Sequence, residues 1–177
     1  MPKIQYKIEK VDGIENGGEL CVKGPNIMMG YYMPDNPGVL VPLKDGWYHT
    51  GDVVEIDEIG FVYIRDRIKR FAKIGGEMVS LNAVHEMVVK ACEHSGAEYA
   101  YGVVAIPHES KGEQIVLVTN NKEVTQDVLH NYVRANGLPE LYLPRVILFK
   151  ESLPVFATGK ADNMTLKKQV LEELSIA

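Results

Sequence analysis

Residues 46–67, "GWYHTGDVVEIDEIGFVYIRDR", decide how this chain is read. Short runs of β-branched and aromatic residues, bounded by glycine, predict strands on either side of a turn. Asp52 follows Thr50 and Gly51 and is expected in the turn. On its own, "TGD" reads as an Asp-containing turn that caps its own backbone. A carboxylate there can also accept two hydrogen bonds, as from the vicinal hydroxyls of a ribose. Arg67, at the strand end, has the same two readings. It is a surface ion pair, or a guanidinium that reaches ribose or phosphate.

The surrounding 66 residues continue in this style. "KIQYKIEKV" alternates, "GELCVKG" is a short glycine-bounded run, and "MPDNPGVLVP" (33–42) reads as loop. The pattern changes after residue 68. "FAKIG" and "EMVS" predict two strands around Gly75–Gly76, a hairpin turn that also leaves room for close ligand approach. Val84, Met87, Val88 and Ala91 recur at helical spacing, with Gly96 as the stop. Strands follow at "EYAYGVVAIPHE", expected to end at its proline, at "GEQIVLVTN" and at "PRVILFKES". Helices are expected from the Thr125 cap to Gly137 and over "NMTLKKQVLEEL", with Leu166, Val170 and Leu174 on one face. The fold class is α+β, and the boundary falls near 65–71. A β-rich stretch this small is expected to be the tail of a larger domain.

The chain has 177 residues, 46% of them apolar, and a net charge of −5. This is enough for a core, and it lacks the basic stripe of a nucleic-acid binder. No run approaches a membrane span or a signal core, so a soluble chain is expected. The two cysteines, Cys21 and Cys92, sit in no CxxC or Cys/His cluster. They are read as reduced core thiols, and no metal site is assigned. His85 and His94 fall on unrelated faces of one helix. His49 lies beside Thr50 without a defined role. No hydrolytic triad spacing and no phosphate-loop motif is present. In "ESLPVFATGKADNM" (151–164), Lys160 follows a glycine in a mobile or turn-forming loop. It reads as a solvated surface lysine, or as a cation carried to an anionic substrate.

Taken in order, four segments resemble the C-terminal part of the acyl-adenylate-forming superfamily of acyl-CoA synthetases, luciferase and peptide-synthetase adenylation domains. They are "GELCVKGPNIMMGYY", "GWYHTGDVVEIDEIGFVYIRDR", "IKRFAKIGGEMVSL" and "LPVFATGKAD". The wording "RFAKIGGEMVSL", "PELYLPR" and "GKADNMTLKK" is similar to one bacterial inner-membrane group. Its members combine 2-acylglycerophosphoethanolamine acyltransferase with acyl-acyl-carrier-protein synthetase. The resemblance implies a β-rich end of a large domain at 1–67 and a small mobile domain at 68–177. It implies ATP, with Mg²⁺, as cosubstrate. Asp52 and Arg67 would bind the nucleotide, Lys69 would be the hinge, and Gly75 and Gly76 would line the pantetheine tunnel. Lys160 would be the catalytic cation of adenylation. The implied partners are a fatty acid, acyl carrier protein and a lysophospholipid, at the cytoplasmic face of the inner membrane. An acyl-CoA synthetase or another adenylate-forming ligase is the alternative, and a carrier-protein binding module without chemistry is the third. On any of the first readings this chain is expected to be a fragment, inactive alone. The chain departs from the family pattern at Asp66, where glycine is usual. It departs again at Ala83–His85, which carry no role.

Overall fold

The structure, a computed structural model, describes residues 3–93 and 99–174. His94 and Gly96 lie outside the described residues. The chain divides into two compact units, residues 1–69 and 70–177.

In the first unit, β1 (Gln5–Glu9) and β2 (Gly18–Lys23) form an antiparallel pair. A short ribbon, β3 (Gly30–Tyr32) with β4 (Leu40–Pro42), follows. Then β5 (Tyr48–Ile56) and β6 (Val62–Arg67) complete a sheet of order β1-β2-β5-β6. The ribbon corrects the loop reading of 33–42, because Leu40–Pro42 pair with Gly30–Tyr32. Pro42 is tolerated because it stands at the end of a two-stranded ribbon, where its missing N–H breaks no central ladder. The buried apolar residues of this unit are few: Cys21, Val53 and Val54 among the described residues. Tyr32, Ile59, Phe61 and Ile64 are more than half exposed.

The second unit opens with the hairpin β7 (Phe71–Ile74) and β8 (Glu77–Ser80), and runs directly into α1 (Leu81–Ala91). Ser80 ends the strand in extended backbone, and its hydroxyl accepts the Ala83 N–H at 3.1 Å. Ser80→Ala is expected to lower the stability of this unit by about 1 kcal/mol, read from urea unfolding followed by circular dichroism.

β9 (Tyr101–His108) and β10 (Gly112–Thr119) form the long antiparallel pair of the sheet. Pro107 lies inside β9 opposite Glu113 and does not end the strand. Among the described residues β9 pairs with β10 alone, so this proline sits on an edge, where a missing donor is tolerated. α2 (Gln126–Ala135) begins at Thr125, whose hydroxyl accepts the Val128 N–H. β11 (Val146–Phe149) runs parallel to β10, and α3 (Asn163–Glu173) closes the unit. On α3, Leu166 and Val170 are buried, and Leu174 packs partly buried beside them.

β10 is apolar on both faces because both faces are covered. Ile115 and Leu117 join Val84, Val88, Leu129 and Val133 of α1 and α2. Val116 and Val118 join Leu166 and Val170 of α3. The α+β expectation is met by this helix–sheet–helix arrangement. Among the described residues no helix is long and apolar enough to cross a membrane.

Candidate functional site

Asp52 is not in a turn between strands. It lies within β5, at a bulge. Glu19 pairs with Val53 and Cys21 with His49, so one residue of β2, Leu20, faces Thr50, Gly51 and Asp52. Gly51 takes φ 73°, a left-handed conformation that glycine adopts without steric cost. Bulges re-aim side chains locally, and this one is fastened. Thr50 Oγ1 donates to the Leu20 carbonyl at 2.8 Å and accepts the Asp52 N–H at 3.1 Å. Glu19 Oε1 accepts the Gly51 N–H at 3.1 Å. Sequence reading missed Glu19 and Thr50 as positioning residues. The signal available was only their place inside the two quoted segments.

Arg67 pairs directly with Asp52 across β5 and β6, with Nε 3.0 Å from Asp52 Oδ1. The Asp52 side chain is 23% exposed and that of Arg67 is 70% exposed. The carboxylate is therefore held at one oxygen while the guanidinium remains open to solvent. Asp66, the departure from the family pattern, is buried, and its Oδ1 accepts the Arg67 N–H at 2.7 Å. Lys69 lies in a 3₁₀ turn, Ile68–Arg70, and is the last residue of the first unit.

In the second unit, Gly75 and Gly76 have φ 61° and 95°, the two left-handed residues of a type I′ hairpin. A Cβ added at either would meet nothing within 4 Å. Conformation, not crowding, calls for glycine, and the backbone is open to approach. The Gly75 N–H donates to the Lys111 carbonyl at 2.9 Å, beside a cleft of about 280 Å³ lined in part by His108, Lys111, Glu113 and Arg145.

The Lys160 loop is turn-forming. Val155 and Ala161 make an antiparallel bridge. The Phe156 N–H donates to the Lys160 carbonyl, and the Gly159 N–H to the Phe156 carbonyl, both at 2.8 Å. Asp162 caps α3, with Oδ1 accepting the Thr165 N–H at 3.0 Å and Oδ2 the Thr165 hydroxyl at 2.7 Å. These bonds, the backbone one first, hold the Asp162 carboxyl below its ordinary pKa. Lys160 thus stands on a short hairpin locked to a helix N-terminus. Its side chain is exposed, and no carboxylate among the described residues pairs with it.

A cleft of about 310 Å³ beside this hairpin is lined by His85, Tyr101, Leu153, Gly159 and Leu166, among others. Burial lowers the His85 imidazole pKa; a hydrogen bond with the Tyr101 backbone opposes this, and the Arg70 charge adds to the lowering. The unfolded chain therefore binds this proton more tightly than the folded one. Stability should fall as pH drops through the ordinary histidine value, about 6.5, towards the lower folded value. Urea unfolding across this range should show that slope, and His85→Gln should flatten it.

Comparison with known proteins places this geometry in a class. No family model matches the chain. The long-chain-fatty-acid–CoA ligase of Salmonella typhimurium is 38% identical over 167 residues, covering 90% of this chain and 28% of the ligase. Luciferin 4-monooxygenase of Photinus pyralis is 28% identical over 181 residues, 97% of this chain and 32% of that protein. The o-succinylbenzoate CoA synthetase of Bacillus subtilis, solved with an acyl-adenylate intermediate, superposes with a TM-score of 0.67 at 26% identity, over 96% of this chain and 34% of the synthetase. The chain belongs to the acyl-adenylate-forming ligase superfamily and has the fold of its C-terminal region. Within that superfamily its relatives include fatty-acid–CoA ligases, and it spans less than a third of their length.

Proposed function

We propose that this chain supplies the mobile half of the chemistry in an ATP-dependent fatty-acid ligase. The carrying observation is Lys160, an exposed ammonium with no carboxylate partner among the described residues, on a hairpin stiffened by the 155–161 bridge and the Asp162 cap. In the first step a fatty-acid carboxylate oxygen attacks the α-phosphorus of ATP, and the bond to pyrophosphate breaks. Charge builds on the phosphoryl oxygens, where a pre-positioned cation lowers the barrier. In the second step a thiol sulfur attacks the acyl carbon and AMP leaves.

Asp52 would accept the ribose hydroxyls of the nucleotide and Arg67 would assist. Their fit to that role is a carboxylate tied at one oxygen, with an open guanidinium beside it. Mg²⁺ would accompany the triphosphate, and no residue of this chain is assigned to it. Lys69 would be the hinge between a β-subdomain at 1–67 and a mobile domain at 68–177. The division of the chain after Lys69 supports that reading. Such a hinge would present Lys160 in one step and the Gly75–Gly76 turn, as a wall of the pantetheine tunnel, in the next.

For the thiol, the motif wording supports acyl carrier protein, within a bifunctional lysophospholipid acyltransferase at the cytoplasmic face of the inner membrane. A second reading, coenzyme A as acceptor, is favoured by the fatty-acid–CoA ligases among the relatives. The test uses a parent protein that contains this chain, given ATP, fatty acid and either acceptor. Acyl transfer to carrier protein alone supports the first reading, and transfer to coenzyme A supports the second. Absence of fatty-acid-dependent pyrophosphate exchange in that parent would overturn the ligase assignment. The isolated chain is expected to show no such exchange.

A further inference from the structure

Four potential metal donors from three strands meet on one face of the first sheet. Glu9 pairs with Glu19 across β1 and β2, and Cys21 pairs with His49 across β2 and β5. Glu19 and Cys21 are two residues apart on one strand and so share a face. The sheet therefore places one thiol, one imidazole and two carboxylates together, and one ligand atom from each lies within 4.8 Å of the others. His49 Nδ1 is 3.4 Å from Cys21 Sγ, 3.0 Å from Glu19 Oε2 and 3.9 Å from Glu9 Oε2. Tetrahedral zinc, with bonds of 2.0–2.3 Å, needs donor atoms about 3.3–3.8 Å apart. The three distances from His49 bracket that range, and the whole set stays within 4.8 Å, so small side-chain shifts would close it on an ion.

The geometry points to a zinc-class divalent metal site formed by Glu9, Glu19, Cys21 and His49. Each carboxylate is already oriented for it. Glu9 Oε1 is held by Lys7 Nζ at 2.5 Å, and Glu19 Oε1 by the Gly51 N–H at 3.1 Å. In both, Oε2 is the oxygen left facing His49. Ligating carboxylates are usually held in this way by outer partners. A mixed S, N and O donor set suits zinc, not magnesium or calcium, which take oxygen alone. Cys21 is fully buried, whereas the His49 side chain is 39% exposed and gives an entry path. The ordinary alternative is a Glu19–His49 hydrogen bond over a core thiol, which predicts no metal affinity. This inference does not rest on the ligase reading.

The test is titration of the purified chain with zinc against a chromogenic chelator, and with cobalt(II) followed by absorption. The expected result is one metal per chain and a thiolate-to-cobalt charge-transfer band. Cys21→Ser should abolish the band. Cys21→Ser and His49→Gln should each weaken zinc by more than about tenfold, since even outer partners of metal ligands cost that much. Cys92→Ser should bind as the unmodified chain does. Lack of stoichiometric zinc in the unmodified chain, or a cobalt spectrum without the thiolate band, overturns the site whatever the variants do. So does unchanged affinity in both ligand variants.

Discussion

Lys160→Ala, in a parent protein that carries this chain, is expected to slow acyl-adenylate formation by about 10²–10³-fold, the usual cost of removing one charge-stabilising group aimed at the transition state. ATP–pyrophosphate exchange reads this directly. The reason lies in how the residue is held. The side chain is exposed and pairs with no carboxylate among the described residues, so truncation leaves no buried charge without a partner. The 155–161 bridge and the Asp162 cap use backbone groups and other side chains, so the hairpin should survive. The loss should therefore appear in the adenylation rate without a change in unfolding midpoint. Thioester formation from preformed acyl-adenylate should be largely retained, because the second step would use the Gly75–Gly76 face. Undiminished exchange would favour a module that only contacts a carrier.

Leu117→Ala is expected to have the largest effect on stability, about 2–5 kcal/mol, the range for a fully buried leucine. Leu117 is 0% exposed on the central strand and faces the cluster of Val84, Val88, Leu129 and Val133. Strands on both sides and α3 on the opposite face limit how far the site can collapse around the cavity. Urea unfolding monitored by circular dichroism measures the loss. The first unit holds few buried apolar side chains, so a comparable truncation there has less to remove.

Much of the fold was legible because it is local. Thr125 and the Leu166–Val170 spacing mark α2 and α3 by capping and periodicity alone. Gly75–Gly76 announces its hairpin because few other residues take two left-handed angles in succession. The misreadings came from rules that pairing overrides. Pro107 ends a strand only if its N–H is needed, and on an edge it is not. Leu40–Pro42 look like loop until Gly30–Tyr32 lie beside them. The site followed the same division. Lys160, Asp52 and Arg67 stand out by type and order, but the mode of holding Asp52 does not. The bulge depends on Leu20 facing three residues of β5, about 30 positions away.

By itself the sequence pointed to the superfamily and the α+β class, and it named candidate residues for the expected adenylation chemistry. These depend on residue type, near-neighbour spacing and local backbone preference. Only the tertiary structure decided that "TGD" is a bulge fastened by Glu19, that the Lys160 loop is a locked hairpin, and that Cys21 has His49 and two carboxylates around it. Cys21 and His49 look unrelated along the chain because 28 positions separate them. They become neighbours because antiparallel pairing sets β2 against β5, and a strand period of two turns Glu19 and Cys21 to the same face.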